Sequence, residues 1–297
     1  MALLTKVKTR LAIHARRPVS GLLEGRYTST LAGRSLDFSD LREYVAGDDV
    51  ADIDWKASAR HGGLLVKRYV ADRKHTVFLV VDTGRELSAL TTWSAEEPTT
   101  KGDVAITVAG VVGWIAISHG DYVGLVCAAG HGPTIVRPST REVELERMLT
   151  LVQSASGPEA AAQDTTRLLE YAAATVRRRT IMVLVLGDVD VDRPLEEALR
   201  RLLVQHELVL VTVGDLDPTE PGRAGQAVRD VGTGTRFPGF AARSTTLATE
   251  IEAAAADRAA RRTAVLNRLG VHHLDVTDPD RVIEDLLSLV ARMRRGR

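Results

Sequence analysis

The sequence predicts a doubly wound α/β fold: a mostly parallel sheet covered by helices, with an antiparallel hairpin at one edge and a small β-rich appendage ahead of it. Three observations predict it. From about Thr76, short apolar runs ("TVFLVVD", "TIMVLVLGD", "ELVLVTVGD", "VHHLDV") alternate with helix-period segments, the pattern of a parallel sheet buried on both faces. The runs "DYVGLVCAAG" and "TIVRP" are joined by a few Gly-containing residues, too few to cross over to a parallel partner, so they pair as a hairpin. Residues 19–75 do not follow the alternation. Three parts result: a basic N-terminal segment (1–18), the appendage (19–75) and the α/β domain (76–297).

Taken in order, "MALLTKVKTRLAIHARRPVSG" carries no acid before Glu24 and lacks the apolar core and cleavage site of a signal peptide. It reads as a helix packed on the domain with a solvated basic face; contact with anionic lipid or a partner stays open. In "ADIDWKA" an extended reading puts Ile53, Trp55 and Ala57 on one face, with Asp52, Asp54 and Lys56 on the other. Trp55 is then a core residue, and Asp54 with Arg60 is a candidate bidentate pair anchoring the appendage. "GLLVKRYV" is also extended. The first core strand ends in Asp82. A helix from Asp103 to about His119 is nearly apolar all round, yet shorter than the ~20 residues that span a bilayer, so it is expected buried in the core. After the hairpin, Leu145, Met148, Leu149 and Val152 mark a helix by their i, i+3, i+4, i+7 spacing. "SASGP" is a loop, and a helix from about Glu159 to Arg178 follows it.

The order then repeats. One strand ends in Asp188, and Leu195, Ala198, Leu199, Leu202 and Leu203 stripe the next helix. Another strand leads into a long Gly/Pro-rich loop from Pro218 to Phe240. A helix over about 241–269, the strand "VHHLDV" and a helix over 281–293, capped by Asp278 with Pro279 at its start, close the chain.

Thirty-nine basic and thirty-nine acidic residues cancel, so no global field draws the protein to nucleic acid or membrane. The one cysteine, Cys127, lies in an apolar run and reads as a buried structural thiol; with no disulfide to form, a cytoplasmic setting is expected. "GTGTRFPG" matches a phosphate loop only in composition, and His272 and His273 point to opposite faces of a strand. No nucleophile elbow accompanies a Ser-His-Asp set.

Two acidic constellations remain. Asp48, Asp49, Asp52 and Asp54 crowd into "DDVADID", followed by Trp55, Lys56 and Arg60. An EF-hand is excluded, since the mid-loop glycine and closing glutamate are missing. Such a cluster could hold catalytic metals, anchor the fold through turns and ion pairs, or present a face to a partner. The second constellation is Asp82 with Asp188, two strand-terminal carboxylates that share a crevice if their strands are neighbours at the switch point of the sheet. There they could hold a hard divalent cation or cap helices.

A strand ending in Asp82, an edge hairpin and a later strand ending in Asp188 resemble the von Willebrand factor A domain. That resemblance implies a metal site beginning Asp-x-Ser-x-Ser. Here "DTGRE" keeps Asp82 but puts Gly84 and Glu86 in place of both serines, and the nearest hydroxyls to the family's distant threonine are Ser154 and Ser156. The implied site, Asp82, Asp188 and Ser156, is therefore degenerate, with at most weak Mg²⁺ or Mn²⁺ binding and no other cofactor expected. Arg85 could neutralise the carboxylates instead.

The segment from Arg16 to Asp82 resembles the domain of unknown function 58 family. Its pattern "R-x-Y-x-x-G-D-D-x-x-x-I-D-W-x-x-S-A-R" is matched by Arg42, Tyr44, Gly47, Asp48, Asp49, Ile53, Asp54, Trp55, Ser58, Ala59 and Arg60, with Lys67 in the following "VK" and Asp37–Phe38 in "LDF". The resemblance implies a von Willebrand A-like sheet after the signature, and a non-enzymatic adaptor that works with a MoxR-type AAA+ ATPase in maturing a client protein. The alternative is a metal-dependent hydrolase using the Asp48–Asp54 cluster or the Asp82/Asp188 crevice. Longer members carry N-terminal membrane spans, and no span is predicted in this sequence.

Overall fold

The computed structural model describes residues 2–16, 38–45, 48–69, 74–92, 98–129, 132–219 and 228–295. Helix α1 (Leu3–Arg16) lies against the α/β unit, with Leu4 and Val7 buried. Its N-terminus is seated by Glu146, whose two carboxylate oxygens accept the backbone N–H groups of Leu3 and Leu4 at 2.8 and 2.7 Å. A carboxylate there satisfies two donors that the helix cannot and complements the positive end of its dipole. Lys8 pairs with Glu142 at 2.5 Å and lies over the Trp114 ring.

The appendage is a small mixed unit. Strand β1 (Phe38–Glu43) pairs antiparallel with β2 (Leu65–Tyr69). Helix α2 (Trp55–His61) lies between them in sequence, and the tip carries a short 3₁₀ turn over Val50–Asp52. The stretch "ADIDWKA" is not the extended strand its alternation predicts. Only Ile53 bridges to the hairpin, opposite Val66, and the chain then turns into α2. Asp54 is its N-cap, with extended backbone and a carboxylate that accepts the N–H groups of Lys56 and Ala57 at 3.1 and 2.9 Å. Gly62 ends the helix in the left-handed conformation, which glycine adopts without a Cβ clash. Trp55, the first residue of α2, is 63% exposed, not core. Ile53, Leu65 and Val66 supply the buried apolar side chains of this unit.

The α/β unit follows the predicted alternation. Strand β3 (Thr76–Val81) leads, through a small pair formed by β4 (Leu90–Thr92) and β5 (Thr99–Thr100), into α3 (Lys101–Ser118). Then come β6 (Tyr122–Ala129), β7 (Gly132–Ser139), α4 (Glu142–Ser154), α5 (Thr165–Thr175), β8 (Ile181–Leu186), α6 (Arg193–Leu203) and β9 (Glu207–Val213). A two-stranded pair, β10 (Val228–Arg229) with β11 (Arg236–Phe237), lies within the expected long loop. Helix α7 (Thr245–Leu269), strand β12 (His272–Val276) and α8 (Val282–Arg295) complete the fold.

Six strands form one sheet in the order β12-β9-β8-β3-β6-β7, all parallel except the edge hairpin β6–β7. Connections run from β3 out to β6 and β7, then back to β8 on the other side of β3. The order therefore reverses between β3 and β8, which is where the two strand-terminal aspartates fall.

One face of the sheet packs on α3, α4 and α8 with α1 outside them, and the other on α5 and α6, giving two apolar cores. Leu145, Met148, Leu149 and Val152 are all buried, as their spacing predicts. Helix α3 is long and apolar enough to cross a membrane by length and composition, but it lies in the core of this unit; Val7 of α1 fits over its Gly110, where a Cβ would come within 2.8 Å of a Val7 methyl. The expected helix over 159–178 is shorter. Residues ahead of α5 serve the end of β3 instead, with Arg85 N–H donating to the Ala161 carbonyl and Gln163 N–H to Glu86, each at 3.0 Å. Asp164 then caps α5 by accepting Arg167 N–H. Asp278 forms a turn with Asp280 N–H just before α8. Cys127 is buried in β6, and burial pushes its thiol up to about 12, as befits an inert structural residue.

Candidate functional site at the carboxyl ends of the sheet

Asp82 directly follows β3, its N–H donating to the Val185 carbonyl of β8 at 3.0 Å. Its side chain is fully buried. The Thr165 hydroxyl, at the start of α5, donates to Asp82 Oδ2, and the Gln163 amide donates to the Asp82 carbonyl. Asp82 Oδ1 is buried without a hydrogen-bond partner among the described residues. Burial is the dominant influence and raises the carboxyl to about 6; Thr165 opposes the rise, Glu86 and Asp164 add to it, and Lys101 opposes it. Burial penalises the charged form, and one hydroxyl and a neighbouring cation do not fully offset it.

Around this carboxylate, the hydroxyls expected of a metal site are missing or used elsewhere. A Cβ on Gly84 would lie 2.7 Å from Gln163 Cγ and 3.0 Å from the Ala161 carbonyl, so this position has no room for a serine. Ser156 donates its hydroxyl to the Val152 carbonyl at 2.7 Å, and Ser154 donates to Leu151 at 3.0 Å. Thr165 is the hydroxyl that reaches Asp82, and the sequence carried no local sign of it.

Asp188, after β8, is engaged by two guanidiniums of α7. Arg262 donates to it at 2.6 Å and Arg258 at 3.2 Å. Burial acts to raise the Asp188 carboxyl, but Arg262 and Arg258 outweigh it and hold the group below the usual carboxylate range. Arg262 is only 5% exposed and also bonds Asp275 of β12 at 3.0 Å; the Thr212 hydroxyl donates to the same carboxylate. Arg85 does not have the neutralising role expected of it. Its Nε is buried without a partner among the described residues, and α7 supplies the cations for Asp188. Asp82 and Asp188 thus end neighbouring strands, as predicted, but a pair of fixed guanidiniums displaces any ion from the second, and the first has one free oxygen. These residues do not fit a divalent cation, which needs several oxygens converging from an uncommitted shell.

The Asp48–Asp54 cluster does not converge either. Asp48 accepts from Arg42 at 2.5 Å and from Val45 N–H at 2.9 Å. The Arg42 hydrogen bond, the largest influence, holds its carboxyl below the usual range. Asp52 ends the 3₁₀ turn with its N–H on the Asp49 carbonyl, and Asp54 caps α2. Among the described residues no group of three or more His, Cys, Asp or Glu is placed to hold a metal ion. Two of the four carboxylates, Asp48 and Asp54, organise a turn and a helix start. Tyr44 N–H donates to the Leu64 carbonyl, Lys56 and Arg60 sit exposed on α2, and Lys67 lies in β2 opposite Leu41. Gly47, the side chain of Lys67 and residues 17–37 of the signature stretch lie outside the described residues.

The appendage has another property that alternation had hidden. Val45, Val50, Trp55 and Leu64 are all exposed, half of the large apolar side chains that the described residues present to solvent. Four of them within twenty residues of one small unit are more than the scattered singles any surface carries.

A family model described as "Protein of unknown function DUF58" matches residues 40–261. Uncharacterized protein Rv1480 of Mycobacterium tuberculosis and Uncharacterized protein Mb1516 of Mycobacterium bovis are each 27% identical over 214 residues, 71% of this chain and 64% of theirs, so the chain spans less than two-thirds of these relatives. Among solved structures, a von Willebrand factor type A protein from Catenulispora acidiphila aligns with 74% of this chain and 43% of its own at 14% identity and TM-score 0.41. An aerotolerance-related membrane protein from Bacteroides fragilis aligns with 73% of this chain and 99% of its own at 12% identity, also with TM-score 0.41.

Proposed function

The chain belongs to the DUF58 family, and from that premise we propose that it is a non-enzymatic adaptor whose signature unit docks a MoxR-type AAA+ ATPase while the ATPase acts on a client protein. The observation that carries this reading is the exposure of Trp55 with Val45, Val50 and Leu64 on the segment that bears the family signature. Apolar side chains held out of the core by a capped helix and a hairpin cost stability in isolation and gain it against a partner. Aromatic anchors of this kind dominate binding energy where they occur. The same unit carries Arg42, Asp48, Asp49, Asp52, Lys56 and Arg60, a mixed-sign set suited to orienting an encounter. Two acids of this unit, Asp48 and Asp54, are committed to a turn and a cap, which suits a docking surface better than hydrolysis.

The test is a binding titration between this protein and the MoxR-type ATPase of the same cell, with wild type, Trp55→Ala and Leu64→Ser. Truncating a central tryptophan is expected to weaken association by about 10-fold or more. Reversing Asp48 and Asp52 to Lys is expected to weaken it chiefly at low salt. Wild-type affinity in all folded variants would remove the assignment.

A further inference from the structure

The crevice between β3 and β8 contains one more charged group, and sequence reasoning had no means to find it. Lys101 is the first residue of α3 and only 4% exposed. That position is adverse for a cation twice over: burial removes hydration, and the N-terminus of a helix is the positive end of its dipole. The helix start itself is secured without it, since Thr100 and Asp103 form a reciprocal capping box. The lysine therefore serves something other than its helix. Its Nζ lies 2.6 Å from Asp215, just beyond β9, and it acts electrostatically on Asp82 at the end of β3. The space it occupies is kept open by Gly187 after β8, where a Cβ would stand 3.1 Å from Lys101 Nζ and 3.7 Å from Gln163 Oε1.

We propose that the Lys101 ammonium is the resident cation of this crevice, serving the carboxylates at the strand ends in the role that a divalent ion has in a metal-loaded sheet of this type. Two strand ends close on it, Gly187 of β8 and Asp215 of β9, and its charge acts on Asp82 at the end of β3. The cation is covalently part of the chain, so the crevice is organised whatever the metal supply. Arg262 repeats the device one strand further out, between Asp188 and Asp275. A tethered ammonium needs no hydroxyl ligands, which accounts for Gly84 and Glu86 standing where a metal site would place serines.

The test reads charge and not packing alone. Besides Lys101, the charged groups acting on Asp82 are Glu86 from the turn after β3 and Asp164 from the cap of α5; Asp215 faces Lys101 itself. In the intact protein, about 10 mM Mg²⁺ or Mn²⁺ is expected to leave the melting temperature within about 1 °C and to give no saturable heat by calorimetry, because the site is already filled. Lys101→Met keeps the stem and removes the charge. It is expected to lower the melting temperature by about 3 °C more near pH 7.5, where Asp82 is ionised, than near pH 5, where it is protonated. Should that variant fail to fold, Gly187→Ala displaces the ammonium more gently and should show the same pH-dependent difference, smaller in size. An equal loss at both pH values in whichever variant folds would reduce Lys101 to packing and overturn the proposal. So would micromolar Mn²⁺ binding by the wild type.

Discussion

The signature hairpin and the crevice use aspartate in opposite ways. In the hairpin, Asp48 and Asp54 hold backbone amides of a turn and a helix start, at the surface, where water shares the work. In the crevice, the partly buried Asp188 is paired with the buried Arg262, and the buried Asp82 is held by the Thr165 hydroxyl with the charge of Lys101 acting on it. Apolar side chains reverse in parallel: the hairpin turns Val45, Val50, Trp55 and Leu64 outward, while the sheet buries nearly every apolar residue of β3 and β8. The difference separates a scaffold from a surface. The sheet spends its chemistry on internal neutrality, and the hairpin leaves adhesive groups exposed.

The largest effect that would sharpen this contrast belongs to Arg262. Its guanidinium is buried and serves two carboxylates, so Arg262→Ala leaves Asp275 without its cation and Asp188 with Arg258 alone. Removing one partner of a buried pair costs roughly 3–5 kcal/mol, because the remaining charge is stranded. Urea unfolding at neutral pH measures it. Arg262→Lys should recover only part of the loss, since a single ammonium cannot reproduce the fork that reaches both acids. A cost below about 1 kcal/mol would place this arginine with the exposed pairs and break the comparison.

Asp82 comes next. Its carboxyl is raised to about 6 in the folded protein against an ordinary value of 3.8. A raised acid binds its proton more tightly when folded, so its stabilising contribution is full below about pH 4 and is lost as pH rises through about 6. A difference of about two pKa units corresponds to about 3 kcal/mol between those limits. Asp82→Asn cannot titrate, so it should remove most of the decline in stability between about pH 4 and 7 when unfolding is followed across pH. A variant with the wild-type slope would assign the slope to other groups.

Much of this architecture was legible from the chain. Strands buried on both faces announce themselves as unbroken apolar runs, and a gap of only a few residues between strands permits only a hairpin, so the sheet and its edge followed directly. The strand-terminal positions of Asp82 and Asp188 were legible for the same reason. Their neighbours were not. Lys101, Thr165, Arg258 and Arg262 reach the crevice from helix ends and faces far away in sequence, and no local period marks a residue that acts through tertiary placement. Trp55 is a different kind of miss. Alternation over Ile53, Trp55 and Ala57 suggested a strand, yet Asp54 followed eight residues later by Gly62 also spells an N-cap and a left-handed stop. In a segment this short, the caps decided the structure and the period-two pattern was coincidence. The Asp54–Arg60 anchor rested on the same misreading, since the Asp54 carboxylate caps α2.

The smallest expected stability effect is therefore at the residue with the largest side chain. A buried tryptophan replaced by alanine costs about 3–5 kcal/mol through the cavity it leaves. Trp55 leaves none, because most of its surface already faces water and α2 is started by the Asp54 carboxylate one residue earlier. Trp55→Ala should shift unfolding by no more than about 0.5 kcal/mol, the range of ordinary surface substitutions. Alanine's better helix propensity offsets part of even that. The measurement is a chemical denaturation curve, with tryptophan fluorescence from Trp93 and Trp114 or far-ultraviolet circular dichroism as the signal. A loss of several kcal/mol would mean that the ring is covered in solution, and the hairpin would then be part of the scaffold. A loss near zero leaves the indole with no structural duty, so that any effect of the same substitution on ATPase binding reports recognition alone.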